Sequence, residues 1–202
     1  NKMSVDQRQA ITEEIKKHFE ELGEIHFDVH QREVFIDLLT GKDIQYCLET
    51  GFCSGTSSAT ILSVCKPKKM ICVDNGSHHN FSVSNGEKLK NQYNFELVVG
   101  SSVDVLSPQF LDEKFPNGID FYHVDGGHEG EVPRKDLDAV INHLNDDFII
   151  VVDDYLSEVY NAPDVIEAVN GFVEENSFDL GLVTTTSGKG MAVIRNKTNS
   201  SL

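Results

Sequence analysis

Apolar positions change their period along this chain. Ile11, Ile15, Phe19 and Leu22 recur at helical spacing, which predicts an amphipathic helix over residues 5–22. Phe35, Leu38 and Leu39 predict a second helix over 31–40, with Gly41 as its stop signal. From residue 44 the pattern becomes short apolar runs separated by helical stretches. Strands are predicted at 44–49, 69–74 and 95–99, with helices at 56–65 and 87–93 and a polar loop at 75–86. A helical or irregular segment over 103–114 leads to an apolar run at 119–124. Leu137, Val140, Ile141 and Leu144 then mark one helical face, and a second run follows at 148–152. Pro163 suits the first turn of another helix, with Val165, Ile166, Val169, Phe172 and Val173 inward. Residues 178–184 and 191–195 read as two strands joined by the turn Ser187-Gly188-Lys189-Gly190. Repeated strand–helix alternation predicts an α/β fold, a mostly parallel sheet with helices on both faces. The closing hairpin adds an antiparallel strand.

Composition narrows the partners more than the fold. The 202 residues suit a single domain, with N-terminal helices over 1–41 and the α/β core over 44–195. A formal net charge of −16 argues against nucleic-acid binding, which relies on clustered Lys and Arg. No apolar stretch approaches the roughly 20 residues of a membrane span. Residues 6–17 are polar and amphipathic rather than the apolar heart of a signal peptide. Cys47, Cys53, Cys65 and Cys72 show no CxxC spacing, so free thiols and a reducing cytoplasm are expected. The partners expected are a small hydroxylated molecule and, in a homo-oligomer, copies of the chain itself.

The chemistry gathers where strands end. The run over 119–124 leads into Asp125, and the run over 148–152 into Asp153 and Asp154. If these strands are parallel neighbours, three acids meet at the carboxyl edge of the sheet, where open α/β sheets bind ligands. Carboxylates that close repel one another unless a cation or protons intervene. Their oxygen-only donors suit a hard divalent cation.

The first strand ends in Glu49-Thr50-Gly51-Phe52-Cys53-Ser54-Gly55-Thr56-Ser57. Glycines at such a turn admit close approach of a ligand to the backbone. Asp74 ends the next strand, where an acid can accept hydrogen bonds from ribose hydroxyls. The GxGxxG spacing of a dinucleotide site is absent. An acid two residues before Gly51 disfavours a pyrophosphate and favours a ligand carrying an amine.

The segment 48–57 resembles motif I of class I S-adenosylmethionine (SAM) methyltransferases. It is most similar to the catechol O-methyltransferase branch and to metal-dependent sugar O-methyltransferases, including those acting on macrolide sugars. The resemblance implies a Rossmann-like seven-stranded sheet of order 3-2-1-4-5-7-6, strand seven antiparallel. It implies that Glu49 lies near the methionine amine and that Gly51, Phe52 and Gly55 form the cofactor turn. Ser57 would hold the methionine carboxylate and Asp74 the ribose. Gly100-Ser101-Ser102-Val103-Asp104 resembles the loop on the adenine side, so Ser102 and Val103 are expected near the base.

Tyr122-His123-Val124-Asp125-Gly126-Gly127-His128 and Val151-Val152-Asp153-Asp154-Tyr155 resemble the fourth and fifth strands of those enzymes. In the family, acids at the positions of Asp125, Asp153 and Asp154 bind Mg²⁺, and Asp125 also borders the cofactor. His128 is placed to act as general base on an acceptor hydroxyl. The catechol enzymes carry lysine there and the sugar enzymes histidine, which favours an aliphatic or sugar hydroxyl. The implied activity is Mg²⁺-dependent O-methyl transfer from SAM. The alternative is a SAM-binding module without catalysis, serving as an interaction subunit. Asp120 and His123 read as structural, and His78 and His79 as loop residues. Tyr155 and Tyr160 either line the acceptor pocket or cover exposed core.

Overall fold

The computed structural model describes residues 3–23, 29–77, 81–157, 162–185 and 188–197. The chain divides into two compact units, residues 1–101 and 102–202. One seven-stranded sheet has the order β3-β2-β1-β4-β5-β7-β6, as expected.

The first unit holds α1 (Val5–Leu22), α2 (Val29–Leu39), β1 (Tyr46–Thr50), α3 (Thr56–Cys65), β2 (Lys69–Asp74), α4 (Ser82–Lys90) and β3 (Phe95–Val99). Ser4 caps α1 by accepting from the Gln7 backbone N–H at 3.1 Å, while the Gln7 side chain accepts from the Ser4 N–H at 3.0 Å. The helix buries Ile15, Phe19 and Leu22, the stripe its periodicity predicts. β1 and β2 pair in parallel, as do β2 and β3. β1 and β2 are buried along almost their whole length, which explains their continuous apolar runs.

One expectation in this unit is corrected. The helix before β3 begins at Ser82, inside the stretch that reads as loop. It docks through small and polar residues, so apolar periodicity does not reveal it. The Asn85 side chain donates to the Leu22 carbonyl at 3.0 Å and to the Ser54 carbonyl at 2.8 Å. Gly86 lies against Leu97, where a Cβ would stand 2.9 Å from a Leu97 methyl.

The second unit holds α5 (Ser102–Val105), α6 (Pro108–Lys114), β4 (Ile119–Val124), α7 (Val132–Asp138), β5 (Leu144–Ser157), α8 (Pro163–Asn176), β6 (Asp179–Thr184) and β7 (Lys189–Arg195). β4 and β5 run parallel, while β7 pairs antiparallel with β5 and β6. The helix carrying Leu137 ends at Asp138, and Leu144 already belongs to β5. Val140 is buried from the turn that follows the helix, so a helix-like spacing of apolar residues is met by a helix and a turn together. Among the described residues no helix is long and apolar enough to cross a membrane.

Candidate active site

In the first unit the turn after β1 is built around two buried acids. Glu49 is 0 % exposed at the end of β1. Ser57 Oγ donates to one Glu49 oxygen at 2.8 Å, and Ser58 Oγ donates to the other. The carboxylate thus fastens the strand end to the first turn of α3. Asp74, 8 % exposed, accepts from the Phe52 backbone N–H at 3.0 Å and from the Gly76 N–H at 2.8 Å. Both acids therefore order the turn.

The backbone of the turn is left-handed at Gly51 (φ 86°), Cys53 (φ 51°) and Gly55 (φ 91°). Gly55 is the demanding position, because a Cβ there would stand 2.5 Å from the buried Phe52 ring. Burial, joined by the charges of Glu49 and Asp74, pushes the Cys72 thiol well above its usual range. Cys47, Cys53, Cys65 and Cys72 are all free thiols. His78, His79 and Tyr160 lie outside the described residues.

In the second unit, β4 and β5 deliver the acids and two imidazoles. Parallel pairing sets His123 opposite Val151 and Val124 opposite Val152. Side chains alternate along a strand, so His123 lies on the face of β4 toward which Asp125, the residue just past its end, continues the alternation, as Val151 and Asp153 do on β5. Two donor groups result. His123, Asp125 and Asp153 bring ligand atoms within 4.8 Å of one another, and so do Asp125, His128 and Asp154. His123 Nε2 lies 3.2 Å from an Asp153 oxygen, with side-chain exposures of 0 % and 8 %. His128 Nε2 lies 3.3 Å from an Asp154 oxygen, with exposures of 27 % and 16 %.

The sequence groups Asp125, Asp153 and Asp154 with His128 and reads His123 as structural. His123 is indeed buried, and it also touches the acid cluster. The missed signal was the two-residue alternation that puts His123 behind Asp125 on the same strand face. Asp120 accepts from the Asn145 side chain at 2.7 Å, a structural contact. The Tyr155 hydroxyl donates to the Asn170 side chain at 2.6 Å, tying β5 to α8.

Ser102 opens α5 and is half-buried, while Val103 is 38 % exposed. A further acid of this unit carries no signal in the sequence. Asp136 on α7 is 1 % exposed, and neither carboxylate oxygen has a hydrogen-bond partner at conventional geometry. Burial raises its pKa to about 6, and the nearby Ser102 hydroxyl offsets part of that rise.

The chemistry of the donors fits a divalent cation: carboxylates supply charge, imidazoles supply nitrogen, and the groups lie at ligating separations. The turn of the first unit, with its close backbone and buried acids, fits a ligand that carries an amine and hydroxyls.

The chain is similar to known proteins in sequence and in fold. A family model described as a methyltransferase domain matches residues 48–155. An uncharacterised protein of Acanthamoeba polyphaga mimivirus is 27% identical over 161 residues, covering 74% of this chain and 68% of the viral protein. The fold is similar to that of a putative caffeoyl-CoA O-methyltransferase from Staphylococcus aureus. The TM-score is 0.69 at 12% identity, over 94% of this chain and 96% of that one. An O-methyltransferase from Bacillus cereus in complex with SAH gives 0.67 at 13% identity, over 93% and 91%. A TDP-rhamnose 3′-O-methyltransferase of calicheamicin biosynthesis gives 0.66 at 15% identity, over 96% of each. The chain spans about half, 53%, of a longer relative, a pyocyanin biosynthetic protein, with a TM-score of 0.57.

Proposed function

The chain belongs to the methyltransferase-domain family, and from that premise we propose that it is a SAM-dependent O-methyltransferase assisted by a divalent cation. The observation that carries this reading is the cluster at the ends of β4 and β5, where acids and imidazoles meet at ligating separations. The relatives named as O-methyltransferases, one of them in complex with the demethylated cofactor, support the cofactor and the acceptor class.

Each residue has a part in this reading. Gly51, Phe52 and Gly55 shape the turn against the cofactor, and Glu49, Ser57 and Asp74 meet its amine, carboxylate and ribose. Ser102 and Val103 serve the adenine side, with Asp125 bordering the cofactor. SAM supplies a methyl group on a sulfonium, activated for transfer. Asp125 and Asp153 hold the cation, with Asp154 beside them. The cation, with Mg²⁺ as the family precedent, supplies Lewis acidity that eases ionisation of a hydroxyl. His128, exposed enough to meet a substrate, takes the proton from the acceptor hydroxyl, and Asp154 orients the imidazole. The acceptor is a small hydroxylated molecule of the sugar class. The four free thiols accord with a reducing, cytoplasmic setting.

Calorimetric titration with SAM, SAH and NAD is the direct test. SAM and SAH are expected to bind and NAD not. A screen of hydroxylated sugars with SAM, with and without divalent cation, then reads methyl transfer. SAM binding without cation-stimulated transfer to any hydroxylated acceptor would favour the non-catalytic binding module instead.

A further inference from the structure

We propose that His123 is itself a ligand of the cation, through Nε2, together with Asp125 and Asp153. A nitrogen donor then makes the centre prefer a transition ion such as Mn²⁺ or Co²⁺ over Mg²⁺. The inference rests on the cation-dependent reading above and deepens it by naming the ion.

Three observations carry it. First, strand alternation and the β4–β5 register bring His123, Asp125 and Asp153 together, with ligand atoms within 4.8 Å of one another. Second, His123 Nε2 and the Asp153 oxygen stand 3.2 Å apart. Adjacent ligands on one ion at about 2.1 Å stand about 3 Å from each other, so the pair is already at the spacing of a shared ion. Third, His123 is 0 % exposed. No acceptor reaches it, so it is not the base, and its nitrogen can act only on its neighbours. His128, 27 % exposed, is the imidazole left to meet substrate. Three carboxylates alone would suit Mg²⁺, Ca²⁺ and Mn²⁺ alike, whereas an imidazole in the set disfavours Mg²⁺ and Ca²⁺ and gains affinity along the order Mn²⁺, Fe²⁺, Co²⁺.

The experiment uses the full chain stripped of metal by chelation and loaded with Mn²⁺. Pulsed EPR reads whether a histidine nitrogen is bonded to the ion, and competition calorimetry compares Mn²⁺ with Mg²⁺. The expected result is a strong ¹⁴N coupling in the wild type and in His128→Gln, lost in His123→Gln. His123→Gln is also expected to lower Mn²⁺ affinity by more than the roughly 100-fold that loss of a supporting partner can cost, and Mg²⁺ affinity by less.

Mn²⁺ binding without a directly bonded nitrogen would overturn the proposal and leave His123 as a hydrogen-bonding support for Asp153. A coupling that disappears in His128→Gln would overturn it as well. Where His123→Gln fails to fold, wild type labelled with ¹⁵N-histidine and His128→Gln still decide the outcome. Failure of any divalent cation to bind would instead sink the cation-dependent reading on which the inference stands.

Discussion

His128 Nε2 lies 3.3 Å from a carboxylate oxygen of Asp154, and Asp154 has a left-handed backbone with φ of 57°. The two facts are connected. Asp153 and Asp154 are consecutive, so a regular strand would send them to opposite faces. The positive φ breaks that regularity, in the stretch where the pairing of β5 with β7 shifts register between Val152 and Leu156. Asp154 is thereby free to meet the half-exposed His128, while Asp153 stays in the row with His123. A left-handed conformation costs a non-glycine residue of order 1–3 kcal/mol, and such strain gathers at functional sites.

The His128–Asp154 pair is expected to act as a unit. His128→Ala should lower methyl transfer about 10²-fold or more, the ordinary contribution of a general base. Asp154→Asn should lower it roughly 10–100-fold by losing the imidazole's orientation. The double variant should be hardly slower than His128→Ala alone. Rates on the acceptor found by screening would check this, and fully additive losses would separate the two residues.

Asp153→Ala should remove the cation's stimulation of turnover while SAM affinity stays within a few-fold. The reason is that Asp153 belongs to the donor cluster of the second unit, whereas the cofactor turn is built by Glu49 and Asp74 of the first. Parallel titrations with SAM and with Mn²⁺ would measure the two effects separately. An equal loss of both would mean that Asp153 organises the whole site rather than the cation.

Gly55→Ala should weaken both stability and SAM binding. The new methyl meets the Phe52 ring at 2.5 Å, in a backbone conformation of φ 91° that alanine disfavours. The strain alone is of order 1–3 kcal/mol. Urea unfolding together with SAM titration would show it. A variant as stable as the wild type would mean that Phe52 shifts aside freely.

Asp136 predicts a pH-dependent stability. Its carboxyl titrates near 6 in the folded chain against a reference of 3.8, because burial disfavours the charge. Well below pH 3.8 both states are protonated and the group costs nothing. As pH rises from about 4 to about 6 the unfolded chain ionises first, so stability is lost across that window. Above it a penalty of about 3 kcal/mol remains. Asp136→Asn should therefore stabilise the protein at pH 8, by up to that amount, and do little at pH 4. Denaturant unfolding at the two pH values would test this, and an equal effect at both would refute a charge origin.

Much of this protein was legible in its sequence. The strand–helix alternation, the acid-ended strands and the Glu49–Ser57 turn each depend on local periodicity or on a strand's end, which neighbouring residues encode. The sheet order followed from the resemblance those motifs carry. Elements held by polar contacts were hidden. The first turn of α4 docks through Asn85 onto the carbonyls of Leu22 and Ser54, residues distant in sequence. The partners of the buried acids were hidden for the same reason. Residue type alone does not tell that Glu49 fastens Ser57 and Ser58, that Asp136 is buried, or that His123 faces Asp153. The sequence determined which donors stand at the sheet's edge. Only the register of β4 against β5 and the left-handed turn at Asp154 decided which imidazole meets which acid, because a shift of one residue along a strand sends every side chain to the other face.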